Sequence, residues 1–305
     1  MSDSVWIILP SYNEAENLVV VVPQIIDEMS KQKKPFKVLV FDDGSSDNTA
    51  EVMAGLQKKH KGLLYEGTKR NRGKAAALQN SFEMATAANA SIVIMMDADG
   101  QDDPKEIVGL IHELESGADL VTGARMTRND RFIKRNTSKI YNAATSKLAG
   151  VPGKDFNSGF KVMTGEVAAA VSPMLYGEMH RYLTVIAYWN GFTTREKAVE
   201  HHARLAGKSK YGIARFWRGF IDLLTVRFLM SYESRPSHLF GAFGVSSLLI
   251  GLAILAYLTF EKIIGHGIGE RPLLIAGLLF TLVGIQLLIF GLLAELIVFS
   301  RKPRR

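Results

Sequence analysis

The sequence contains no cysteine among its 305 residues, which excludes disulfides and thiolate metal sites. It also lacks Gly-x-Gly-x-x-Gly and Gly-x-x-x-x-Gly-Lys-Ser/Thr, so neither the usual dinucleotide fingerprint nor a P-loop is present. The N-terminus has no basic segment followed by an apolar one, and we interpret it as the start of a first strand rather than a signal peptide. The net charge of +7 suits nucleic acid, anionic lipid or a phosphorylated substrate equally well.

The N-terminal two thirds of the chain alternate short apolar runs with amphipathic stretches. The runs cover residues 5–9, 37–41, 92–96 and 119–122, and strands that are apolar on both faces are typical of a parallel sheet covered by helices. Asn13 and Asp103 each precede a glutamate by three positions, the spacing of a capping box at a helix start. The β-branched run 19–22 is assigned to a helix. This order predicts an α/β, doubly wound, mostly parallel sheet with helices on both faces.

Polar residues follow three of these runs, at the point where each predicted strand ends. They are Pro10 to Glu14, Asp42-Asp43 and Asp97-Ala-Asp99. In open α/β sheets ligands bind beyond the carboxyl ends of the strands, so we expect these side chains to share one edge of the sheet. Asp42 and Asp43 suit hydrogen bonding to a base or ribose, although capping of the next helix is an alternative.

Asp97 and Asp99 are two positions apart at a strand end, which points both carboxylates the same way in extended chain. With Gln101 they offer oxygen ligands of the kind that Mg²⁺ or Mn²⁺ prefers, and a solvated loop is the alternative. The basic run that ends at Lys74 precedes a predicted helix, where positive charge suits a diphosphate. A charged surface loop is the alternative there.

The last third of the sequence changes character. Residues 239–260 and 272–299 are almost wholly apolar, and each run is long enough to cross a bilayer. Basic residues cluster in the tail 301–305, which places both ends of the chain in the cytoplasm by the positive-inside tendency. We expect three parts: a catalytic domain at 1–212, an amphipathic interfacial helix at 213–236, and two transmembrane helices at about 238–260 and 272–299 within 237–305. The oligomeric state is left open, with a homo-oligomer possible, because small residues such as Gly244 and Gly251 could pack spans together.

Four motifs together carry a resemblance to a known family. They are Ile8-Leu-Pro-Ser-Tyr-Asn-Glu14, Asp42-Asp-Gly-Ser-Ser-Asp-Asn-Thr49, Asn71-Arg-Gly-Lys-Ala75 and Asp97-Ala-Asp-Gly-Gln-Asp-Asp-Pro104. In this order they resemble inverting GT-A glycosyltransferases of family 2. With the two C-terminal spans, the sequence is most similar to the polyprenyl-phosphate branch, which includes dolichyl-phosphate mannose synthases and bacterial undecaprenyl-phosphate glucosyltransferases.

The resemblance implies a GT-A fold and roles for individual residues. It implies nucleotide binding by Pro10, Tyr12, Glu14 and Asp42, a metal site of Asp97, Asp99 and Gln101, and basic residues near the lipid phosphate at Arg125, Arg204 and Lys210. To these we add Asp43 and Lys74 as donor-binding candidates from their positions. Some family members carry an aspartate at or beside the position of Gly159, proposed as a base. Here the residues are Ser158-Gly159-Phe160, so that role is not transferred.

The resulting expectation is a bacterial membrane enzyme that transfers a hexose to polyprenyl phosphate. The donor would be UDP-glucose or GDP-mannose, the acceptor undecaprenyl or dolichyl phosphate, and no nucleic acid would bind. Asp99, Arg125, Arg204 and Lys210 would act in catalysis. Two alternatives remain: a small polysaccharide synthase, and a nucleotide-sugar-binding membrane scaffold.

Overall fold

The computed structural model describes residues 4–125, 142, 145–147, 149–202, 225, 236–267 and 272–301. The chain divides into two compact units, Met1–Val226 and Arg227–Arg305. The first unit is built on strands and short helices. The second contains two long helices.

The first unit contains a seven-stranded sheet. Its strands are β1 Val5–Ser11, β2 Phe36–Asp42, β3 Leu63–Gly67, β4 Ile92–Met95, β5 Leu120–Arg125, β6 Lys161–Thr164 and β7 Thr194–Val199, in the spatial order β3-β2-β1-β4-β6-β5-β7. Only β6 is antiparallel to its neighbours β4 and β5. The mostly parallel α/β fold expected from the sequence is confirmed, and the antiparallel β6 was not foreseen.

Helices connect these strands, and the described ones are α1 Ala15–Ser30, α2 Thr49–Lys59, α3 Lys74–Ala87, α4 Glu106–Glu115, α5 Gly165–Val171 and α6 Leu183–Trp189. The run 19–22 lies on α1 as expected, where Val21 and Val22 are buried while Val19 and Val20 face outward. Val5, Ile7 and Leu9, on one face of β1, share an apolar core with the inner face of α1. Trp6 and Ile8, on the other face, are also buried, so β1 is apolar on both faces.

The capping box predicted at Asn13 is wrong. Asn13 lies before the helix in a left-handed conformation with φ of 56°, and its carbonyl oxygen Oδ1 accepts the backbone N–H groups of Ser46 and Asp47 at 2.8 and 3.3 Å. The first N–H group of α1, at Ala15, donates instead to Asp47 at 3.3 Å. The cap therefore comes from the β2–α2 loop, a long-range partner that local spacing does not reveal. Asp103 accepts the N–H of Lys105 at 3.0 Å, but α4 begins only at Glu106 and the Glu106 carboxylate accepts the N–H of Glu200 at 3.3 Å, so the capping box predicted at Asp103 is not formed either.

The second unit contains α7 Pro236–Ile263 and α8 Pro272–Arg301. Both are long and apolar enough to cross a membrane, and most of their large apolar side chains are exposed. The two helices pack closely at glycines. A Cβ added at Gly251 would lie 2.5 Å from the backbone nitrogen of Thr281, and one at Gly284 would lie 2.6 Å from that of Leu248. Gly244 also lies at this contact, so both glycines singled out in the sequence pack one span against the other.

Candidate active site

The carboxyl ends of β1, β2 and β4 meet at one edge of the sheet, because these strands are parallel and in register. An open cavity lies at this edge. The residues that line it come from the three polar clusters and from the start of α3: Pro10, Ser11, Tyr12, Glu14, Asp43, Asn71, Gly73, Lys74, Ala77, Asp97, Ala98 and Asp99. Seven predicted site residues are thus brought together, and the shared edge expected from the sequence is confirmed.

Asp97 and Lys74, which both line this cavity, form an ion pair. Burial alone would raise the pKa of the Asp97 carboxyl. The ammonium group of Lys74, with weaker contributions from His180 and Arg125, nevertheless holds that pKa below its usual value. Asp97 is therefore an anion surrounded by positive groups, even before any substrate binds.

Gly159 makes room for that carboxylate. A Cβ at position 159 would lie 2.5 Å from Oδ2 of Asp97 and 2.8 Å from its Oδ1, closer than any ordinary contact. A side chain at this position would have to displace Asp97. The structure thus gives a physical reason why an aspartate at position 159 does not fit this chain as it stands.

The oxygen donors at Asp97 and Asp99 fit a hard divalent cation. Both residues line the cavity, Asp99 is almost fully buried, and the glycine at position 159 leaves the Asp97 carboxylate unobstructed on that side. Gln101 does not line the cavity. Its amide nitrogen donates to the backbone oxygen of His202 at 3.3 Å, and its backbone N–H donates to Asp99 at 3.1 Å. Its role as a metal ligand stays a prediction.

Asp42 and Asp43 make extensive hydrogen bonds within the protein. Asp42 accepts hydrogen bonds from the hydroxyl groups of Ser45 and Tyr65, both at 2.6 Å, and it does not line the cavity. Asp43 lines the cavity, and its carboxylate accepts the backbone N–H groups of Arg72 and Gly73 at 2.8 and 2.7 Å. Asp43 thereby fixes the loop before Lys74. Nucleotide binding by either carboxylate stays a prediction.

Arg125 ends β5 and forms a two-pronged ion pair with Asp155, with Nε–Oδ2 and Nη2–Oδ1 distances of 2.7 and 2.9 Å. Burial would lower the pKa of Arg125, but the Asp155 carboxylate, followed by Asp102 and Asp97, keeps that pKa raised. The predicted residues Arg204 and Lys210 lie outside the described residues.

His201 and His202 contact different carboxylates. His201 lies 3.5 Å from Asp102, and His202 lies 3.1 Å from Asp103. The side chains of adjacent residues in an extended segment point in opposite directions, which agrees with these two separate contacts. Asp103, Glu200 and His202 place ligand atoms within 4.8 Å of one another, on a more exposed surface than the cavity.

Several contributors to the site were missed by the sequence reasoning. Tyr65 contacts Asp42, and the loop around Asp155 supports Arg125. Both contacts join residues far apart in the sequence, so no local motif signals them. Asn71 was part of a quoted motif but was given no role, and it lines the cavity.

Residues 6–169 match the family described as glycosyl transferase family 2. The chain belongs to glycosyl transferase family 2. Its resemblance to polyprenyl-phosphate glycosyltransferases is confirmed by curated relatives. The chain is 35% identical over 298 residues to "Dodecaprenyl-phosphate galacturonate synthase" of Rhizobium johnstonii, covering 95% of this chain and 86% of that protein. It is 29% identical over 301 residues to "Undecaprenyl-phosphate 4-deoxy-4-formamido-L-arabinose transferase" of Aeromonas hydrophila, covering 96% and 88%.

Among solved structures, this family 2 member is similar in fold to glucosyl-3-phosphoglycerate synthase of Mycobacterium tuberculosis, whose structure contains Mn²⁺, uridine diphosphate and phosphoglyceric acid. The TM-score is 0.58 at 17% identity, with 74% of this chain and 78% of that chain covered. This likeness supports the GT-A fold.

Proposed function

We propose that this family 2 glycosyltransferase transfers a sugar from a nucleoside diphosphate to a polyprenyl phosphate at a membrane. The proposal rests mainly on sequence similarity to transferases that are named for polyprenyl phosphates. This similarity extends along nearly the whole chain and includes the hydrophobic helices. The two long apolar helices support membrane attachment, because a lipid-linked acceptor must meet a water-soluble donor at the bilayer surface. The proposed domain boundaries remain those of the sequence analysis.

The relatives' names shift the expected sugar. They specify galacturonate and 4-deoxy-4-formamido-L-arabinose rather than glucose or mannose. We therefore place nucleotide-linked galacturonate first among candidate donors and the formamido-arabinose donor second. UDP-glucose and GDP-mannose, the donors expected from the sequence, follow them as comparisons.

The reaction needs positioning more than a strong base. A polyprenyl phosphate has a second pKa of about 6, so its oxygen is an anionic nucleophile at neutral pH. That oxygen attacks the anomeric carbon, the bond from this carbon to the diphosphate oxygen breaks, and the nucleoside diphosphate leaves with both electrons. A single displacement inverts the anomeric configuration. We propose that Lys74, which starts α3 and lines the cavity, binds the departing diphosphate.

Asp97 and Asp99, with Gln101 as a further candidate, would hold Mg²⁺ or Mn²⁺. The bound cation would supply charge neutralisation for the diphosphate. Lys74 contacts Asp97 in the structure, so we expect this lysine to exchange a carboxylate partner for a phosphate partner as the donor binds. Tyr12 and Pro10 line the same cavity and are proposed to contact the nucleotide.

A donor panel with undecaprenyl phosphate tests the proposal. Purified protein in detergent would be given each of the four radiolabelled donors with Mg²⁺ or Mn²⁺, and label would be followed into the lipid fraction. We expect transfer from at least one donor, and loss of at least about 100-fold in turnover for Asp99→Asn with its thermal stability retained. Polymer without a lipid product would favour a polysaccharide synthase. Donor binding without any transfer would favour a scaffold.

A further inference from the structure

The ion pair between Arg125 and Asp155 is more rigid than a surface pair. Both side chains are largely buried, with 16% and 6% of their surfaces exposed, and two parallel hydrogen bonds join them. The backbone N–H of Arg125 also donates to Asp155, at 3.3 Å. Because a guanidinium group is planar, this pairing fixes both the position and the plane of the Arg125 side chain.

The backbone at Asp155 is fixed in turn by hydrogen bonds to Glu196 of β7. The carboxylate of Glu196 accepts the backbone N–H of Lys154 at 2.8 Å and that of Asp155 at 3.0 Å. Lys161, at the start of β6, is fully buried and donates to the backbone oxygen of Phe156 at 3.3 Å. Residues 154–160, which we name the support loop, are thus fastened at several points.

The support loop connects Arg125 with the candidate metal carboxylates. It carries Asp155, which holds Arg125, and Gly159, which leaves space for Asp97. Arg125 uses two of its five side-chain N–H donors on Asp155, and this pairing fixes the direction of the guanidinium group at the carboxyl end of β5. A preoriented guanidinium is well suited to a phosphate oxygen.

We propose that Asp155 is a positioning residue that holds Arg125 ready to bind a phosphate oxygen of one of the two substrates. The inference rests on the proposed function for its choice of ligands, the polyprenyl phosphate or the nucleoside diphosphate. Glu196 contributes by holding the backbone of the support loop. Asp155 acts through Arg125 and does not contact the substrate itself.

The test compares binding and turnover in Asp155→Asn, Arg125→Lys and the double variant. Calorimetry in detergent would measure the affinities for undecaprenyl phosphate, UDP and GDP separately, so it is informative whether or not transfer occurs. We expect each single variant to weaken binding of one phosphate class by about tenfold, because a mispositioned guanidinium loses a charge-assisted hydrogen bond. The class that weakens identifies the source of the phosphate.

The double variant separates positioning from general support of the fold. If Asp155 acts through Arg125, combining the substitutions should weaken binding little more than either does alone. The matched control is Glu113→Gln, which removes an exposed ion pair to Arg195 at 3.1 Å, and it should bind like the wild type. Asp155→Glu, which retains the charge, should recover part of the lost affinity.

Two results would overturn the inference. One is a folded Asp155→Asn protein with wild-type affinity for both phosphate classes. The other is a double variant whose losses multiply. If Asp155→Asn does not fold, Glu196→Gln replaces it and should weaken the same class, and unchanged binding there would also reject the inference. Wild-type binding without transfer would instead count against the proposed function alone.

Discussion

At Gly159 the absence of a side chain is what the site requires. Gly159 does not have a left-handed φ that would demand glycine, and the requirement comes from the nearby carboxylate of Asp97. We expect Gly159→Ala to lower turnover by about tenfold or more, since displacement of Asp97 disturbs metal and diphosphate binding together. Turnover would be measured across a Mn²⁺ titration.

Gly55→Ala is the matched control for that prediction. It makes the same change on α2, where an added Cβ meets nothing within 4 Å, and it should leave turnover unchanged. If Gly159→Ala kept the turnover and the metal dependence of the wild type, displacement of Asp97 would have no effect on the reaction, and the prediction would be wrong.

Asp47, in the loop between β2 and α2, connects that loop to the start of α1. Its carboxylate accepts the N–H of Ala15 at 3.3 Å and the N–H and hydroxyl of Thr49 at 3.1 and 2.6 Å. Burial raises the pKa of Asp47, but these hydrogen bonds outweigh it and hold the pKa below its usual 3.8. A lowered folded pKa means that the stabilisation is complete well above pH 3.8 and is lost as the pH falls through the folded value.

We therefore expect Asp47→Ala to lower the free energy of unfolding by about 1 kcal/mol at neutral pH. The difference from the wild type should shrink below pH 3.8, where the wild-type carboxyl becomes protonated. Urea denaturation in detergent at a series of pH values measures this difference in the free energy of unfolding. Asp27→Ala, at an exposed position of α1, is the control and should leave the free energy of unfolding at neutral pH close to that of the wild type. A difference that persists undiminished in acid would contradict the capping role.

At the scale of elements, apolar runs predicted β1, β2 and β4 well, because a buried central strand must be apolar on both faces. Strand direction was not predictable in the same way. β6, Lys161–Thr164, has only two apolar residues among its four although it is almost wholly buried, and it runs antiparallel between β4 and β5. Its composition therefore does not identify it as a strand, and its direction depends on the connections before and after it. The cap at Ala15 was missed for a related reason, since its partner is 32 residues away.

The contact between α7 and α8 depends on the glycines that let the two backbones approach. Overpacking such a contact costs about 1–3 kcal/mol, and a leucine at Gly251 would meet the backbone of Thr281. We expect Gly251→Leu to separate the helices and lower the unfolding temperature in detergent, measured by circular dichroism. Gly241→Leu is the control on the same helix, because a Cβ there meets nothing within 4 Å. Equal unfolding temperatures for the two variants would contradict a glycine-dependent contact.

At the scale of the whole chain, the positions of the candidate site residues were predictable because three strand ends share one sheet edge. Asp97, Asp99, Tyr12 and Lys74 meet there as expected. The connections around them were not predictable. Asp42 faces Tyr65, and Arg125 faces Asp155, 30 residues along the chain. Motifs identify which residues carry charge, and only the fold shows which of those charges are already paired.

The orientation of the chain in a membrane is the remaining prediction at this scale. Basic residues in the tail 301–305 favour the cytoplasmic side, so two spans should place the connecting loop near Gly267 on the opposite side and the N-terminal unit in the cytoplasm.

The absence of cysteine allows a direct measurement, because one introduced thiol is the only one present. We expect an impermeant maleimide to label Gly267→Cys in intact bacterial spheroplasts and Gly55→Cys only after lysis. Both sites are exposed, so accessibility within the protein does not explain a difference. The reverse pattern would place the nucleotide-sugar cavity on the outer face, away from cytoplasmic donors, and would reject the proposed function in its membrane setting.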